Sequence, residues 1–386
     1  MKVLITGGAG FIGSYTARAL LARGHHVTVL DNFSEQIHSA DRSASYTWMS
    51  IKDQVELVEG DVRDKSLVSR VLPAFDAVLH LAAETGTGQS MYDVARYCEV
   101  NVGGTAEILE ALVRRRGAVR RVVVASSRAV YGEGGYRCPD HGVVFPFARR
   151  EADMAKGQFE PTCPLCELPV SLVPTPEDAV LRPTSVYAVT KLGQEQLVLS
   201  VCGSIGVAAT ALRYQNVYGP GQSLHNPYTG ILSIFSTEMR AGRGIEIFED
   251  GLESRDFVHV EDVARANVAF LESEAAAGLP VNVGTGRATT VLDVAHRLRE
   301  AYGSASGIRV SGRYRSGDIR HNCADVQRLR HAAGFVPEIP FEAGVSGFCS
   351  WVAGEFVGGR VPSLGYGDAL RELESRGLMK EPGVSR

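Results

Sequence analysis

The sequence contains no apolar run long enough to cross a bilayer, and its opening residues, MKVLIT, enter a strand-like pattern without signal-peptide grammar. These absences point to a cytoplasmic protein that does not enter membranes. An excess of one charge is also missing. Forty basic residues face 44 acidic ones, a net charge of −4, which argues against a nucleic-acid or membrane-surface binder. No internal repeat or low-complexity segment is visible. Cysteine is sparse and odd in number, seven in 386 residues, unlike the framework of a small secreted domain. Cys98, Cys202, Cys323 and Cys349 stand alone and read as small buried hydrophobes without a role.

What is present is an alternation. KVLIT, HVTVL, VELVEG, AVLHLAA and RVVVAS are short Val/Ile/Leu-rich runs, as strands buried on both faces should be. Amphipathic stretches such as 14–23 and 94–116 lie between them, and VAATALR follows a helical pattern over 186–204. This predicts an α/β fold, a Rossmann-type doubly wound parallel sheet with a smaller C-terminal α/β subdomain. The expected division is a nucleotide-binding domain over 1–212, a mainly substrate-binding subdomain over 213–362, and a loosely attached tail over 363–386. An insertion over about 133–182 interrupts the first domain.

TGGAGFIGS follows the first strand and opens the first helix, spacing Gly7, Gly10 and Gly13 as G-x-x-G-x-x-G. Glycines there let backbone amides approach a pyrophosphate at the positive end of a helix. Asp31 ends the second strand, where a carboxylate accepts from ribose hydroxyls and repels a 2′-phosphate, favouring NAD over NADP. Asp61 and Val62 in GDVRD are positioned for the adenine. Taken alone, those two also read as a turn aspartate and a core valine.

SVYAVTK sets Tyr187 and Lys191 four apart, on one face of a helix. A nearby ammonium is expected to pull the phenol's pKa down and make it a base. Ser127 in VASSRAVYG ends the fifth strand at the same sheet edge, where a hydroxyl can bond the reacting substrate oxygen.

With TGGAGFIG, GDVRD, HLAA, VNVGGT, SSRAVYG, YAVTK, LRYQNVYGPGQ, RDFVHVEDVA and NVGTG in this order, the chain resembles the extended short-chain dehydrogenase/reductases. Within them it is similar to the NAD-dependent sugar-nucleotide epimerase/dehydratases, from Met1 to about Pro340. The resemblance implies tightly bound, recycled NAD held by Gly7, Phe11, Ile12, Gly10, Gly13, Asp31, Asn32, Asp61, Val62, Leu81, Ala82, Ala83, Asn101, Tyr187 and Lys191. It implies Ser127, Tyr187 and Lys191 as the catalytic set. It also implies a nucleotide-diphosphate-sugar substrate held by Ser127, Asn216, Arg255 and Arg315. A guanidinium fork suits phosphate on physical grounds too, the alternative for each arginine being a structural ion pair. Relatives often dimerise through the helix carrying Tyr187, so a homodimer is expected.

Among the group's reactions, 4,6-dehydration needs an acid/base pair after the serine, and Arg128-Ala129 stands there instead. Epimerisation at carbon 4 through a transient 4-keto sugar is the remaining economical chemistry. HLAAETGTGQSMY, SSRAVYGEG and GPGQSLHNPYTG resemble the branch acting on a dTDP-6-deoxyhexose such as dTDP-L-rhamnose. Gln215 departs from the aromatic residue many relatives carry in this stretch. The alternatives are a UDP-sugar or UDP-uronate 4-epimerase, an NDP-4-keto-sugar reductase using NADPH, and an NAD-binding regulator without turnover.

Ser127 and Tyr187 are separated by an unusually long stretch that carries Cys138, His141, Cys163 and Cys166, spaced C-x2-H-x21-C-x2-C. Three thiolates and an imidazole suit tetrahedral zinc, with all four positions filled by protein and none left open. An insertion poor in large apolar residues lacks a core of its own, and a metal can close it. The expectation is a structural zinc clip that takes no part in the chemistry; the alternative is free thiols in a loop.

Overall fold

The computed structural model describes residues 1–38, 41–115, 117–228, 230–356 and 365–383. Seven parallel strands form the central sheet: β1 (Lys2–Thr6), β2 (His26–Asp31), β3 (Glu56–Glu59), β4 (Ala77–His80), β5 (Arg121–Ser127), β6 (Ala208–Tyr214) and β7 (Pro280–Val283). Their order is β7-β6-β5-β4-β1-β2-β3. The order reverses between β1 and β4, so the carboxyl ends of these two strands open a crevice. β4 is buried at every position, whereas the edge strand β3 exposes three of its four residues.

Alternation along β1 assigns the two faces. Val3 and Ile5 pack with helices α1 (Phe11–Ala22) and Val260–Glu272, and Leu4 packs under helices Gly104–Arg114 and Val186–Ile205. A third cluster, around Phe235, Phe257 and Phe348, forms the core of the C-terminal lobe.

The chain does not leave the first domain cleanly at residue 212. The helix Val260–Glu272 packs on α1, and β7 pairs with β6, so residues beyond 213 complete the sheet. The helix expected over 94–116 is interrupted by a π-helical turn at Cys98–Gly103. Of the four solitary cysteines, Cys202, Cys323 and Cys349 are buried as expected, but Cys98 is exposed.

The tail, expected to hang loosely, is docked. The helix Tyr366–Ser375 buries Ala369 and Leu373, and Met379–Lys380 pairs antiparallel with Tyr314–Arg315. Ion pairs join Glu374 to Arg313 and Lys380 to Glu151 of the insertion. A short amphipathic helix with a buried Met after it is enough to anchor the segment.

Candidate active site

The turn after β1 is shaped by glycine. Gly7 adopts φ +67°, and a Cβ added there would stand 2.9 Å from the amide nitrogen of Ala82. At Gly13 an added Cβ would come within 2.6 Å of Gly8 Cα, which explains how α1 starts so close to the strand. No side chain caps the N-terminus of α1. Its first amides are thus left to a ligand or solvent.

A cavity of about 560 Å³ opens at this turn and runs along the carboxyl edge of the sheet into the C-terminal lobe. Asp31 lines it, its two carboxylate oxygens held by the amides of Ala9 (3.0 Å) and Phe33 (2.9 Å). Asn32 bonds Asp61 at 3.0 Å, and hydrogen bonds from Arg63 lead in holding Asp61 down to about 2. Gly7, Gly10, Phe11, Ile12, Gly13, Val62, Leu81, Ala82 and Ala83 line the same stretch. A glycine turn at a helix start with a fixed carboxylate across the crevice fits the pyrophosphate and ribose of NAD. Asn101 differs from expectation. It lies outside the cavity lining, wholly buried, because its amide is committed to Glu84 (2.7 and 3.1 Å) and to Thr190 (2.9 Å).

Further along, Ser127 ends β5 and accepts from the amide of Ala129 at 3.2 Å. Tyr187 and Lys191 occupy the first turns of the helix Val186–Ile205, which Ser185 caps through the amide of Ala188. All three line the cavity. Lys191 is buried and donates to Gln194 at 2.7 Å; burial pushes it down to about 7, against the pull of Glu195. Behind it lies an uncharged platform. Gln194 donates to Thr105 (2.8 Å), and His80 bonds Thr6 (2.7 Å) and Thr105 (2.9 Å). Burial, with a lesser push from Lys191, lowers His80 to about 3.

The expected downward pull of Lys191 on Tyr187 is not what the structure carries. Burial pushes the phenol up, and the groups that oppose this are the Ser127 hydroxyl and the Arg128 charge. The Lys191 ammonium is turned to Gln194.

At the far end, Asn216, Arg255 and Arg315 line the cavity with Glu253, Asp318 and Tyr366. Asp318 grips Arg315 at 2.7 and 2.6 Å, so this arginine is ion-paired. Arg255 donates to the carbonyls of Ser254 (2.8 Å), Arg320 (2.9 Å) and Ile319 (2.8 Å). Among the described residues, buried polar atoms of Gln215, Asn216 and Glu253 on the cavity lining have no hydrogen-bond partner. Groups of this kind are normally satisfied, which marks the lobe end of the cavity as built for a polar ligand.

Residues 3–153 and 167–284 match the NAD dependent epimerase/dehydratase family. The chain belongs to that family. It is 38% identical over 358 residues to dTDP-L-rhamnose 4-epimerase of Burkholderia thailandensis, covering 92% of this chain and 95% of the relative. UDP-glucose 4-epimerase of Thermotoga maritima, solved with UDP-glucose, superposes with TM-score 0.74 at 28% identity, over 92% of this chain and 99% of that one. UDP-glucose 4-epimerase of Thermus thermophilus, solved with NAD, gives 0.70 at 30% identity, over 92% and 99%.

The family match skips residues 154–166, inside the insertion. There the strands Tyr136–Cys138 and Gly142–Val144 form a hairpin, and a second turn closes where Glu167 N bonds Cys163 O at 2.9 Å. The two turns bring the metal-type ligands together: Cys138, His141, Cys163 and Cys166 place one ligand atom each within 4.8 Å of all the others. Cys138 Sγ lies 3.5 Å from His141 Nδ1 and 3.6 Å from Cys166 Sγ, and Cys163 Sγ lies 3.7 Å from His141 Nδ1. Tetrahedral zinc with ordinary Zn–S and Zn–N bonds requires edges of about 3.6–3.8 Å. None of the four lines the cavity.

Several contributors have no signature in the sequence. Gln194, His80 and Glu195 support Lys191, and Asp318 and Tyr366 join the lobe end of the cavity. HLAA, which contains His80, is visible as a motif; the role of its histidine is not.

Proposed function

We propose that this protein is an NAD-dependent nucleotide-diphosphate-sugar 4-epimerase, acting on a dTDP-6-deoxyhexose such as dTDP-L-rhamnose. The observation that carries the reading is one continuous cavity. It joins the glycine turn and Asp31 to Ser127, Tyr187 and Lys191, and those to Arg255 and Arg315. Bound NAD supplies a hydride acceptor and donor at carbon 4. Tyr187 takes the proton of the 4-hydroxyl and returns it after the keto sugar has presented its other face, while Ser127 bonds the same oxygen. Lys191, on its neutral platform, supports the cofactor, while the Ser127 hydroxyl and the Arg128 charge act on the phenol. Arg128-Ala129 after Ser127 offers no carboxylate for dehydration. Residues 1–212 hold chiefly the cofactor, and those beyond chiefly the nucleotide sugar.

Further readings go with this one. The cysteine-bearing insertion is a structural zinc clip with Cys138, His141, Cys163 and Cys166 as ligands; the near-tetrahedral spacing supports it. The protein is a homodimer through the helix carrying Tyr187 and its neighbour Gly104–Arg114, a reading supported by exposed Val189 and Val113 on them. It works in the cytoplasm; among the described residues no helix is long and apolar enough to cross a membrane.

The test is incubation of the purified protein with a panel of dTDP- and UDP-sugars without added cofactor, followed by stereochemical analysis at carbon 4. Turnover that consumes one NADPH per product would make it a ketoreductase instead.

A further inference from the structure

Three arginines line the catalytic and lobe ends of the cavity, and they differ in what neutralises them. Arg315 has Asp318. Among the described residues Arg255 donates to backbone carbonyls alone, and its neighbour Glu253 is pushed up to about 7 by burial, which makes it a partial counter-charge at neutral pH. Arg128, immediately after Ser127, has neither hydrogen-bond nor ion-pair partner among the described residues. The carboxylates that act on it are already engaged, Asp318 by Arg315 and Glu133 by Arg149 (3.1 Å) and the amide of Arg320 (2.8 Å). Burial and the facing charge of Arg255 together hold Arg128 down to about 9. Two guanidinium groups with no ion-pair partner of their own among the described residues thus line one cavity, an arrangement that favours the entry of an anion.

We propose that Arg128 binds the sugar-bearing phosphate of the substrate's diphosphate and, with Arg255, forms a two-arginine clamp. The proposal rests on the nucleotide-sugar reading of the cavity. The charges match, since the diphosphate of a nucleotide sugar carries two negative charges for the two free guanidinium groups. The location matches as well. Arg128 directly follows Ser127 at the end of β5 and lines the same cavity as Tyr187 and Arg255. A keto sugar that must turn over needs an anchor on the part that does not turn, and the phosphate attached to carbon 1 is that part. A carboxylate on sugar carbon 5 is the other anion that could reach this place. It moves with the ring, however, and a fixed guanidinium would favour one face over the other.

The experiment measures binding of thymidine diphosphate and thymidine monophosphate, with the uridine pair in parallel, to the NAD-loaded protein and its Arg128→Gln and Arg128→Lys variants. Retained NAD and a melting temperature no lower than that of the wild type check that each variant is folded. Arg128→Gln should weaken the diphosphate about 10- to 100-fold and the monophosphate less than about threefold, with Arg128→Lys in between. In turnover, Arg128→Gln should let keto sugar escape before hydride return, leaving enzyme whose reduced nicotinamide fluoresces. Unchanged diphosphate affinity in Arg128→Gln overturns the clamp, as does a loss confined to sugars with a carbon-5 carboxylate. If the wild-type protein epimerises no nucleotide sugar while Arg128→Gln still loses diphosphate affinity, the clamp stands and the epimerase reading falls.

Discussion

Arg149, inside the cysteine-bearing insertion, holds Glu249 on the wall of the substrate cavity through two parallel hydrogen bonds of 2.8 Å. Both side chains are almost fully buried, and Arg149 also bonds Glu133 and the carbonyls of Phe159 and Asp318. Glu249 has φ +50°, a conformation side-chain-bearing residues seldom adopt. The insertion is thereby tied to a strained residue on the cavity wall.

Breaking this tie should show at the substrate end. Arg149→Met removes the ion-pair partner of Glu133 and leaves Glu249 with Arg320 alone, a loss of at most about 3–5 kcal/mol where one partner of a buried pair is removed. The melting temperature should fall and KM for the nucleotide sugar should rise several-fold, with NAD still bound. Reduced stability with an unchanged KM would mean that the insertion is a passive appendage.

Tyr187 is the proposed proton acceptor, so Tyr187→Phe should cost several orders of magnitude in kcat. NAD content should remain near that of the wild type, because the glycine turn and Asp31 are untouched. Lys191→Ala should lower both activity and NAD retention. Near-normal turnover by Tyr187→Phe would remove the proposed mechanism.

The pH dependence of stability should carry a signature of His80. Its folded-state pKa of about 3 lies below the ordinary 6.5. Between those values the unfolded chain binds a proton that the folded one refuses, so stability falls as pH drops through this window. At neutral pH and above, both states are neutral and the effect vanishes. Urea unfolding from pH 7 to pH 4 should show a smaller acid loss in His80→Asn than in the wild type, provided the variant retains its fold. Parallel curves would assign the acid loss to other groups.

The parts of this molecule legible in the sequence are those governed by local rules. Strands buried on both faces read as apolar runs, and the glycine turn and the Tyr187/Lys191 spacing are short patterns whose context lies next to them. β7 escapes such a reading because Pro280–Val283 is brief, carries an asparagine, and pairs with a strand that ends 66 residues earlier. Asn101 lies within a cofactor-family motif, yet its amide faces Glu84 and Thr190, and only the packed helices reveal that. The isolation of Arg128 has no trace in the sequence at all, since it depends on where Asp318 and Glu133 spend their charge.

The zinc clip is testable without reference to activity. Two turns from separate parts of the insertion bring three thiols and an imidazole within 4.8 Å of one another, beside short strand pairings and a modest apolar cluster around Tyr136. Bound metal would tie the two turns to each other and so add to the insertion's order. Elemental analysis of protein prepared without chelators should find one zinc per chain, with bonds of about 2.3 Å to sulfur and 2.0–2.1 Å to nitrogen. Cys163→Ser with Cys166→Ser should lose the metal and make 133–182 sensitive to protease, while NAD stays bound because α1 and Asp31 belong to the sheet. Through Arg149 and Glu249 the same variant should then raise KM for the nucleotide sugar more than it lowers kcat. The reverse ranking, with kcat collapsing while KM holds, would make the metal part of the chemistry and the division between clip and catalyst wrong. Absence of metal in freshly prepared, reduced protein would instead leave these four residues as free side chains.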